Sequence, residues 1–236
     1  MREKNLQLAP HDFWQSIHPA GSFEPAPAQG HRDLYPATLP DGRQIVLPIR
    51  VLPGGEDRAV ASLILNQASF AVADALADAV ADKVRALEVE IVVGLPTLGL
   101  VLADALARRL GHSRCVPLGT SRKFWYDEQL SQPLSSVTSP GVAEKRLYVD
   151  PRMLPLLAGR RVLLVDDVVS TGSSMASALA LLARTGVAPA GIAVAMTQSE
   201  RWRAKLADAG WAGIVSTAIA TPLLARGGDG GWRPTM

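Results

Sequence analysis

VLLVDDVVSTGSS, at residues 162–174, is the stretch of sequence that decides the fold. Its four leading apolar residues predict a buried strand that delivers Asp166 and Asp167 to the carboxyl edge of a sheet, where open α/β proteins bind ligands. The small and hydroxyl-bearing residues of Ser170–Ser174 then open a helix, whose backbone N–H groups and dipole favour an anion. Carboxylates that accept from ribose hydroxyls, beside a loop that holds a phosphate, predict a sugar-phosphate site. The alternative is a helix that Ser170 caps after a solvated strand end.

Short apolar runs alternate with helical patterns on both sides of this stretch. The predicted strands are Ile91–Val93, Cys115–Leu118, Arg161–Val165 and Ile192–Met196, and the predicted helices are Leu98–Leu110 and Ser173–Arg184. Strands that alternate with helices require right-handed crossovers and a parallel sheet covered on both faces. The sequence therefore predicts an α/β domain with a mainly parallel sheet.

The first third of the chain has a different pattern. Its beginning is rich in Pro, Ala and Gly and predicts an irregular arm. Two extended apolar runs, Leu34–Leu39 and Gln44–Leu52, flank the turn sequence Pro40-Asp41-Gly42 and predict a hairpin. From Glu56 to Leu87 the apolar spacing predicts one long helix, or two helices joined near Asn66–Ser69.

The composition limits the classes of function. Of 236 residues, 48% are hydrophobic and 19% are charged, which is typical of a globular protein. A formal net charge of +2 and the lack of a long basic run argue against a nucleic-acid partner. Cys115 is the only cysteine, so an intramolecular disulfide is excluded and a reducing, cytoplasmic location is expected. The alanine-rich stretch Ala71–Val84 contains charges such as Asp74 and Asp78, which argues against a membrane span.

Residues 162–174 resemble, at every position, the phosphoribosyl pyrophosphate signature of the type I phosphoribosyltransferases. The resemblance implies that Asp166 and Asp167 contact the ribose hydroxyls, directly or through a metal ion, with Asp167 as the proton acceptor. It also implies that the loop after them binds the 5-phosphate of the substrate. That loop consists of Val169, Ser170, Thr171, Gly172, Ser173 and Ser174.

A second match to the family lies upstream, in IVVGLPTLG at residues 91–99. In the family the corresponding loop, here Pro96, Thr97, Leu98 and Gly99, binds pyrophosphate, and its glycines let a ligand approach the backbone closely. The family usually carries a basic residue before the second glycine, where this chain has Leu98. Pyrophosphate would therefore depend on backbone donors and Thr97. The alternative is a helix start whose glycines only allow tight packing.

A long polar segment, residues 122–151, follows the second predicted strand and shows no clear helix. The family has a mobile catalytic loop here, so the resemblance implies a lid that excludes water from a reactive sugar cation. Lys123, with Arg122, would neutralise the pyrophosphate leaving group. Two surface bases at the start of a loop are the alternative. Trp202 and Trp211 are candidates for stacking on the base, although aromatic residues more often belong to the core.

The resemblance implies the type I phosphoribosyltransferase fold, a twisted and mainly parallel sheet flanked by helices, with a small hood built from both chain ends. The predicted division is an N-terminal arm and hairpin at 1–55, a phosphoribosyltransferase core at 56–199 and a C-terminal hood segment at 200–236. Mg²⁺ is expected to enter with the substrate, held by substrate oxygens and, through water, by Asp166 and Asp167. A homodimer, which is usual in the family, is expected.

The predicted reaction transfers a phosphoribosyl group from phosphoribosyl pyrophosphate to a nucleobase, as a pentosyltransferase does, and releases pyrophosphate. Adenine, in nucleotide salvage, is the first choice of base. Orotate is less attractive because no arginine cluster is evident for its carboxylate, although Arg201 and Arg203 keep it open. The alternative from another class is a regulator that binds phosphoribosyl pyrophosphate or a nucleotide without chemistry, and the missing basic residue before Gly99 favours it.

Overall fold

A computed structural model of the chain describes residues 8–134, 145–207 and 210–235. The strands are β1 (Ile17–His18), β2 (Leu34–Thr38), β3 (Gln44–Val51), β4 (Arg58–Ala61), β5 (Ile91–Gly94), β6 (Val116–Pro117), β7 (Ser131–Pro133), β8 (Arg146–Tyr148), β9 (Val162–Val169), β10 (Gly191–Gln198), β11 (Val215–Thr221), β12 (Leu223–Arg226) and β13 (Trp232–Pro234). The α-helices are α1 (Phe70–Val84), α2 (Gly99–Arg109), α3 (Ser173–Arg184) and α4 (Arg201–Ala207). Short 3-10 helices occupy Leu65–Gln67, Arg85–Leu87, Glu128–Leu130, Pro151–Leu156 and Trp211–Ile214.

Five strands form a parallel sheet in the order β11-β10-β9-β5-β6. Alternate residues of a strand point to opposite faces of its sheet. Leu163 and Val165 of β9 accordingly share a hydrophobic cluster with α1 and α2, whereas Leu164 shares one with α3 and α4. Both faces of the sheet are covered, which explains the continuous apolar runs of its strands. The predicted α/β fold class, with a parallel sheet flanked by helices, is confirmed.

A second sheet is antiparallel and combines strands from both chain ends. Its order is β1-β3-β4-β12-β13, and β2 pairs with β3. The hairpin predicted from the sequence is confirmed as β2 and β3. Strand β4 belongs to the antiparallel sheet but lies in the predicted core range 56–199. Strand β11 belongs to the parallel sheet but lies in the predicted hood range 200–236. Each sheet therefore includes a strand from the other side of a predicted boundary. Gln198 Nε2, at the end of β10, donates to the carbonyl of Ala61 in β4 at 2.7 Å and links the two sheets.

The predicted helix over Glu56–Leu87 is wrong in its first half. Arg58–Ala61 is a strand, because β3 and β12 pair with it from either side and satisfy its backbone. Helix α1 begins only at Phe70, where Ser69 accepts from the Val72 N–H at 3.3 Å and caps the first turn. Apolar spacing alone does not distinguish a short buried strand from a helix, so distant pairing decided this segment.

Helix α1 packs on α2, and Arg109 links the two helices. Arg109 Nη2 lies 2.7 Å from Asp74 Oδ1, and Arg109 Nε lies 2.6 Å from Asp78 Oδ1. The aspartates of the alanine-rich stretch therefore hold α1 on its neighbour. Within the described ranges, no helix combines the length and the apolar character that a bilayer span requires.

Candidate active site

The carboxyl end of the parallel sheet has a step between β5 and β9. Strand β5 pairs with β9 only as far as Gly94 opposite Val165, whereas β9 continues beside β10 as far as Val169. The strand is therefore longer than predicted, and Asp166 and Asp167 lie inside it rather than after its end. Asp166, which lies beyond the last paired residue of β5, lines a cavity at the edge where α/β sheets bind ligands.

Asp166 and Asp167 are both buried, each with 9% of its surface exposed. Asp166 Oδ1 accepts from the backbone N–H of Asp167 at 2.9 Å. Burial raises the pKa of Asp166 well above its usual range, and the adjacent charge of Asp167 raises it further. Burial also raises the pKa of Asp167, although hydrogen bonds from Asp166 and from the Val168 backbone oppose the shift. No basic group within the described residues contributes to either pKa, so a ligand must supply the counter-charge when both carboxyl groups ionise.

The loop between β9 and α3 forms the wall of a cavity of about 120 Å³. The cavity is lined by Asp166, Val168, Val169, Ser170, Thr171, Gly172, Ser173, Ser174 and Met175. Gly172 is the N-cap residue of α3, with a φ of 80°, and its helix start has no side-chain cap. The first backbone N–H groups of α3 therefore lack a side-chain acceptor, which suits an anion. The alternative in which Ser170 caps α3 is wrong.

Gly99, the first residue of α2, lies against the aspartate pair. A Cβ on Gly99 would stand 2.6 Å from Asp166 Oδ1 and 2.7 Å from Asp166 Cα. A Cβ on Gly94 would likewise stand 2.6 Å from Ala103 Cβ. Both glycines thus allow α2 to pack closely on the sheet, as expected from the alternative interpretation of residues 91–99, a helix start with tightly packed glycines. This packing places the loop of Pro96, Thr97, Leu98 and Gly99 beside Asp166, and its binding of pyrophosphate stays a prediction.

Arg122 and Lys123 lie in the loop that follows β6, and both side chains are exposed. Arg122 Nη1 pairs with Glu128 Oε2 at 3.3 Å. In the described part of the chain, neither residue forms a hydrogen bond or an ion pair with the aspartates of β9. Strands β7 and β8 form a ribbon within the predicted lid, and residues 135–144 of that lid lie outside the described residues. The role of Lys123 and Arg122 at the leaving group stays a prediction.

Trp125 belongs to a cluster with Asp150 and Arg152, which connects the beginning of the segment 122–151 to its end. Its Nε1 donates to Asp150 Oδ2 at 3.3 Å, and the guanidinium carbon of Arg152 lies 4.5 Å from the centroid of the ring. Arg152 Nη2 also lies 2.5 Å from Asp150 Oδ2. This ion pair lowers the pKa of Asp150 to about 2. The cluster therefore fixes one limb of the segment predicted as a lid.

The tryptophans after β10 contribute to the core. Trp202 is 2% exposed and belongs to the hydrophobic cluster beneath α3, and Trp211 packs against the same cluster. Trp202 is therefore a core residue, as is usual for an aromatic, and not a candidate for stacking on the base. A bulky apolar ring directly after a buried strand fills the space between that strand and the next helix.

Arg201 reaches the loop Val169–Ser174, a contact that sequence reasoning missed. Its Nη2 donates to Ser170 Oγ at 3.2 Å, and its Nε donates to Ser199 Oγ at 3.1 Å. Ser170 and Arg201 are 31 positions apart in the sequence, and no local motif connects them. The one available signal is a basic residue just after β10, the strand that runs parallel to β9 and ends at the same edge.

The family model for the phosphoribosyl transferase domain matches residues 62–213. The orotate phosphoribosyltransferase of Xanthomonas axonopodis pv. citri (strain 306) is 34% identical over 154 residues, which are 61% of this chain and 62% of that protein. The adenine phosphoribosyltransferase of Frankia casuarinae is 32% identical over 154 residues, which are 62% of this chain and 72% of that protein. The chain thus spans less than two thirds of the length of the orotate phosphoribosyltransferase it matches.

Two solved structures share the fold. The adenine phosphoribosyltransferase of Thermoanaerobacter pseudethanolicus has a TM-score of 0.57 at 16% identity, over 74% of this chain and 95% of that one. The enzyme of Giardia lamblia, complexed with 9-deazaadenine, has a TM-score of 0.57 at 22% identity, over 74% of this chain and 93% of that one. The family model covers more than half of the chain, including the aspartate pair, the loop Val169–Ser174 and Arg201. The chain belongs to the phosphoribosyl transferase domain family.

Proposed function

We propose that the protein transfers the 5-phosphoribosyl group of phosphoribosyl pyrophosphate to a nitrogenous base and releases pyrophosphate. The observation that supports this most is the cavity wall that Asp166 shares with the loop Val169–Ser174. A ligand that touches both must offer hydroxyl groups or a cation to the carboxylate and an anion to the uncapped start of α3. A ribose 5-phosphate unit offers hydroxyls and a phosphate within one small molecule. Membership of the family supports the same ligand.

Each part of the site has one task in this reaction. The loop holds the 5-phosphate, and Asp166 accepts from a ribose hydroxyl and so orients the ring. A base nitrogen bonds to the anomeric carbon as the bond from that carbon to pyrophosphate breaks, with the electron pair leaving on the pyrophosphate oxygen. Asp167 takes the proton that the base releases, as a general base does. The backbone N–H groups of Thr97–Gly99, together with Lys123, stabilise the departing charge.

Mg²⁺ is the proposed cofactor, and it would arrive with the substrate. Asp166 and Asp167 offer the oxygen ligands that Mg²⁺ prefers, and their missing counter-charge fits a nearby cation. Over the described ranges, no group of three or more His, Cys, Asp or Glu side chains is arranged to hold a metal ion. Substrate oxygens and water would therefore supply most ligands. When bound, Mg²⁺ offsets the charge of the pyrophosphate group.

Adenine is the proposed base, and orotate is the second candidate. Arg201 and Arg203, the arginines that kept orotate open, both have other partners. Arg201 is hydrogen-bonded to Ser170, while Arg203 pairs with Glu200 and lies over the Trp202 ring, 4.6 Å from its centroid. Arg203 is thus already paired with a carboxylate, and Arg201 lies against the loop proposed to hold the 5-phosphate rather than the base. Orotate keeps its support from the Xanthomonas relative, which is 34% identical over the matched region.

The antiparallel sheet built from both chain ends is proposed as the hood over the base. Its strand β4 is linked to the end of β10 by the hydrogen bond from Gln198 to Ala61. That link puts the antiparallel sheet next to the carboxyl edge that carries the aspartates, since β10 and β9 are parallel neighbours. A homodimer and a cytoplasmic location are proposed from the family resemblance.

The proposed reaction is tested by pyrophosphate release from phosphoribosyl pyrophosphate and Mg²⁺ with one base per assay: adenine, hypoxanthine, guanine, xanthine, uracil and orotate. Release is expected with one base, adenine first, and Asp167→Asn should abolish it. Asp82→Asn is the matched control, because that carboxylate is 80% exposed on α1 and away from the cavity. Silence with every base, while phosphoribosyl pyrophosphate still binds, would refute the transferase and favour a regulator.

A further inference from the structure

The loop proposed to bind the 5-phosphate has no positive side chain of its own. Val169–Ser174 contains no Lys, Arg or His. A phosphate monoester carries a charge of about −1.5 to −2 near neutral pH, whereas the start of a helix offers the equivalent of only about +0.5. Asp166 lines the same cavity and adds a negative charge whenever it ionises. A cation from another element would therefore strengthen the binding of a phosphate here.

Arg201, at the start of α4, lies where such a cation is needed. Its Nη2 is 3.2 Å from the hydroxyl oxygen of Ser170, a residue that lines the cavity. Ser199 accepts from the backbone N–H of Arg201 at 3.4 Å and from its Nε at 3.1 Å. Ser199 is itself buried, and its backbone N–H donates to the carbonyl of Thr221 at 2.7 Å. The Arg201 guanidinium is thus held at its Nε by the hydroxyl group of the buried Ser199.

The hydrogen bonds that hold Arg201 leave its charge unneutralised. Both of its side-chain partners are neutral hydroxyl groups, and no carboxylate of the described residues pairs with it. A guanidinium has five N–H donors, so several remain for a ligand. Arg203, two positions along, differs in this respect, because Glu200 pairs with it and its guanidinium lies over the Trp202 ring. One helix therefore carries one arginine that is charge-paired and one that is not.

Helix α4, which begins at Arg201, packs directly on the loop Val169–Ser174 at Gly172. A Cβ on Gly172 would stand 3.3 Å from the Trp202 carbonyl oxygen and 3.5 Å from Lys205 Cβ. The first turn of α4 therefore lies close to Gly172, the residue that precedes α3, and Arg201 Nη2 reaches the same loop at Ser170. Burial of Trp202 in the core anchors the same turn.

We infer that Arg201 binds the 5-phosphate of the substrate and supplies the positive charge that the phosphate loop lacks. The guanidinium donates to phosphate oxygens while Ser199 holds its Nε, and Ser170 turns its hydroxyl from Arg201 to the phosphate. This role rests on the proposed function and adds a specificity element to it. Ligands that carry a 5-phosphate bind through Arg201, and pyrophosphate does not.

Calorimetric titration of three ligands, each with Mg²⁺, tests the inference: phosphoribosyl pyrophosphate, ribose 5-phosphate and inorganic pyrophosphate. Arg201→Ala should weaken the first two by a similar factor of about 10- to 100-fold, because one charge-assisted contact is lost. Pyrophosphate binding should be unchanged. Arg201→Lys should recover part of the affinity, since it keeps the charge but not the Ser199 contact. Arg203→Ala is the matched control on the same helix and should bind all three like the wild type.

Steady-state kinetics gives a second readout. Loss of a contact made equally in ground state and transition state raises KM for phosphoribosyl pyrophosphate and leaves kcat within about threefold. Equal affinity of Arg201→Ala and wild type for ribose 5-phosphate would overturn the inference while leaving the transferase intact. A parallel loss of pyrophosphate binding would also overturn it and assign Arg201 a structural role. Wild-type protein that binds neither sugar phosphate would refute the proposed function itself.

Discussion

Replacement of Gly99 by alanine tests whether the close approach of α2 to β9 builds the site. The new Cβ would stand 2.7 Å from Asp166 Cα and 3.2 Å from the Val165 carbonyl oxygen. Carbon atoms pack best at about 3.5–4.0 Å, so the start of α2 must move away from β9 by about 1 Å. Both contacts are to the backbone of a central strand and cannot rotate away. The free energy of unfolding should therefore fall by about 2–3 kcal/mol, the upper part of the usual range for overpacking.

The same shift should also displace the loop at the start of α2 from Asp166, and a misplacement of about 1 Å can reduce a rate by about 100-fold. Urea unfolding and kcat/KM with the identified base measure the two effects. Gly213→Ala is the matched control, because nothing lies within 4 Å of its added Cβ and its backbone is not in the left-handed region. Unfolding free energies that agree between the two variants, with kcat/KM unchanged in both, would refute this packing argument.

Three further predictions concern charges. Asp166→Asn should stabilise the fold at pH 7 by about 1–2 kcal/mol. The reason is that the raised pKa of Asp166 makes ionisation of this carboxyl group oppose folding. Thermal unfolding should show that the stabilisation shrinks as pH falls to about 4, where the carboxyl group of the unfolded chain also takes up its proton. Asp150→Asn should cost about 1 kcal/mol at pH 7 after solvent screening of the exposed Arg152, and the cost should vanish as pH falls from about 4 through the Asp150 pKa of about 2, which a carboxyl NMR titration locates. Arg109→Ala should cost about 1 kcal/mol in urea unfolding, and less at about 1 M salt, because its partner Asp74 is 61% exposed.

Four strands of the parallel sheet were predictable because strands buried on both faces are apolar throughout, whereas β11 fell in the predicted hood segment and was not predicted as a strand. Such strands show as continuous apolar runs, and Ile91–Gly94 and Gly191–Gln198 both stand out between helical patterns. Helix α3 was predicted with the bounds Ser173–Arg184 that it has, since its start follows a glycine and its end precedes one. In these elements the local sequence and the tertiary environment favour the same structure, so a local pattern was sufficient.

The antiparallel sheet was predictable only where its strands are adjacent in sequence. Strands β2 and β3 are joined by a short turn, and the alternation of turn and apolar residues predicts them. Strand β4 pairs with β12, so that Val60 lies opposite Leu223, and neither strand predicts the other from local pattern. Four-residue strands also carry too little periodicity to outweigh a helical pattern nearby. Tertiary pairing therefore decided what local propensity left open.

The candidate site shows the same division between local and distant information. The acid pair and the phosphate loop were predictable because one strand, one loop and one helix start contain them all within residues 162–174. Arg201 was missed as their charged partner because it reaches Ser170 only through the parallel pairing of β9 with β10, which ends both strands at one edge. A local motif specifies which groups are close together within one βα unit. The loop of the next unit contributes further groups that the motif does not specify. Arg201 is consequently identified by a comparison of charges: one βα unit has an anion-binding loop without a cation, and the loop of the neighbouring unit carries a basic residue. This comparison needs the strand order and the sequence together, and motif spacing does not provide it.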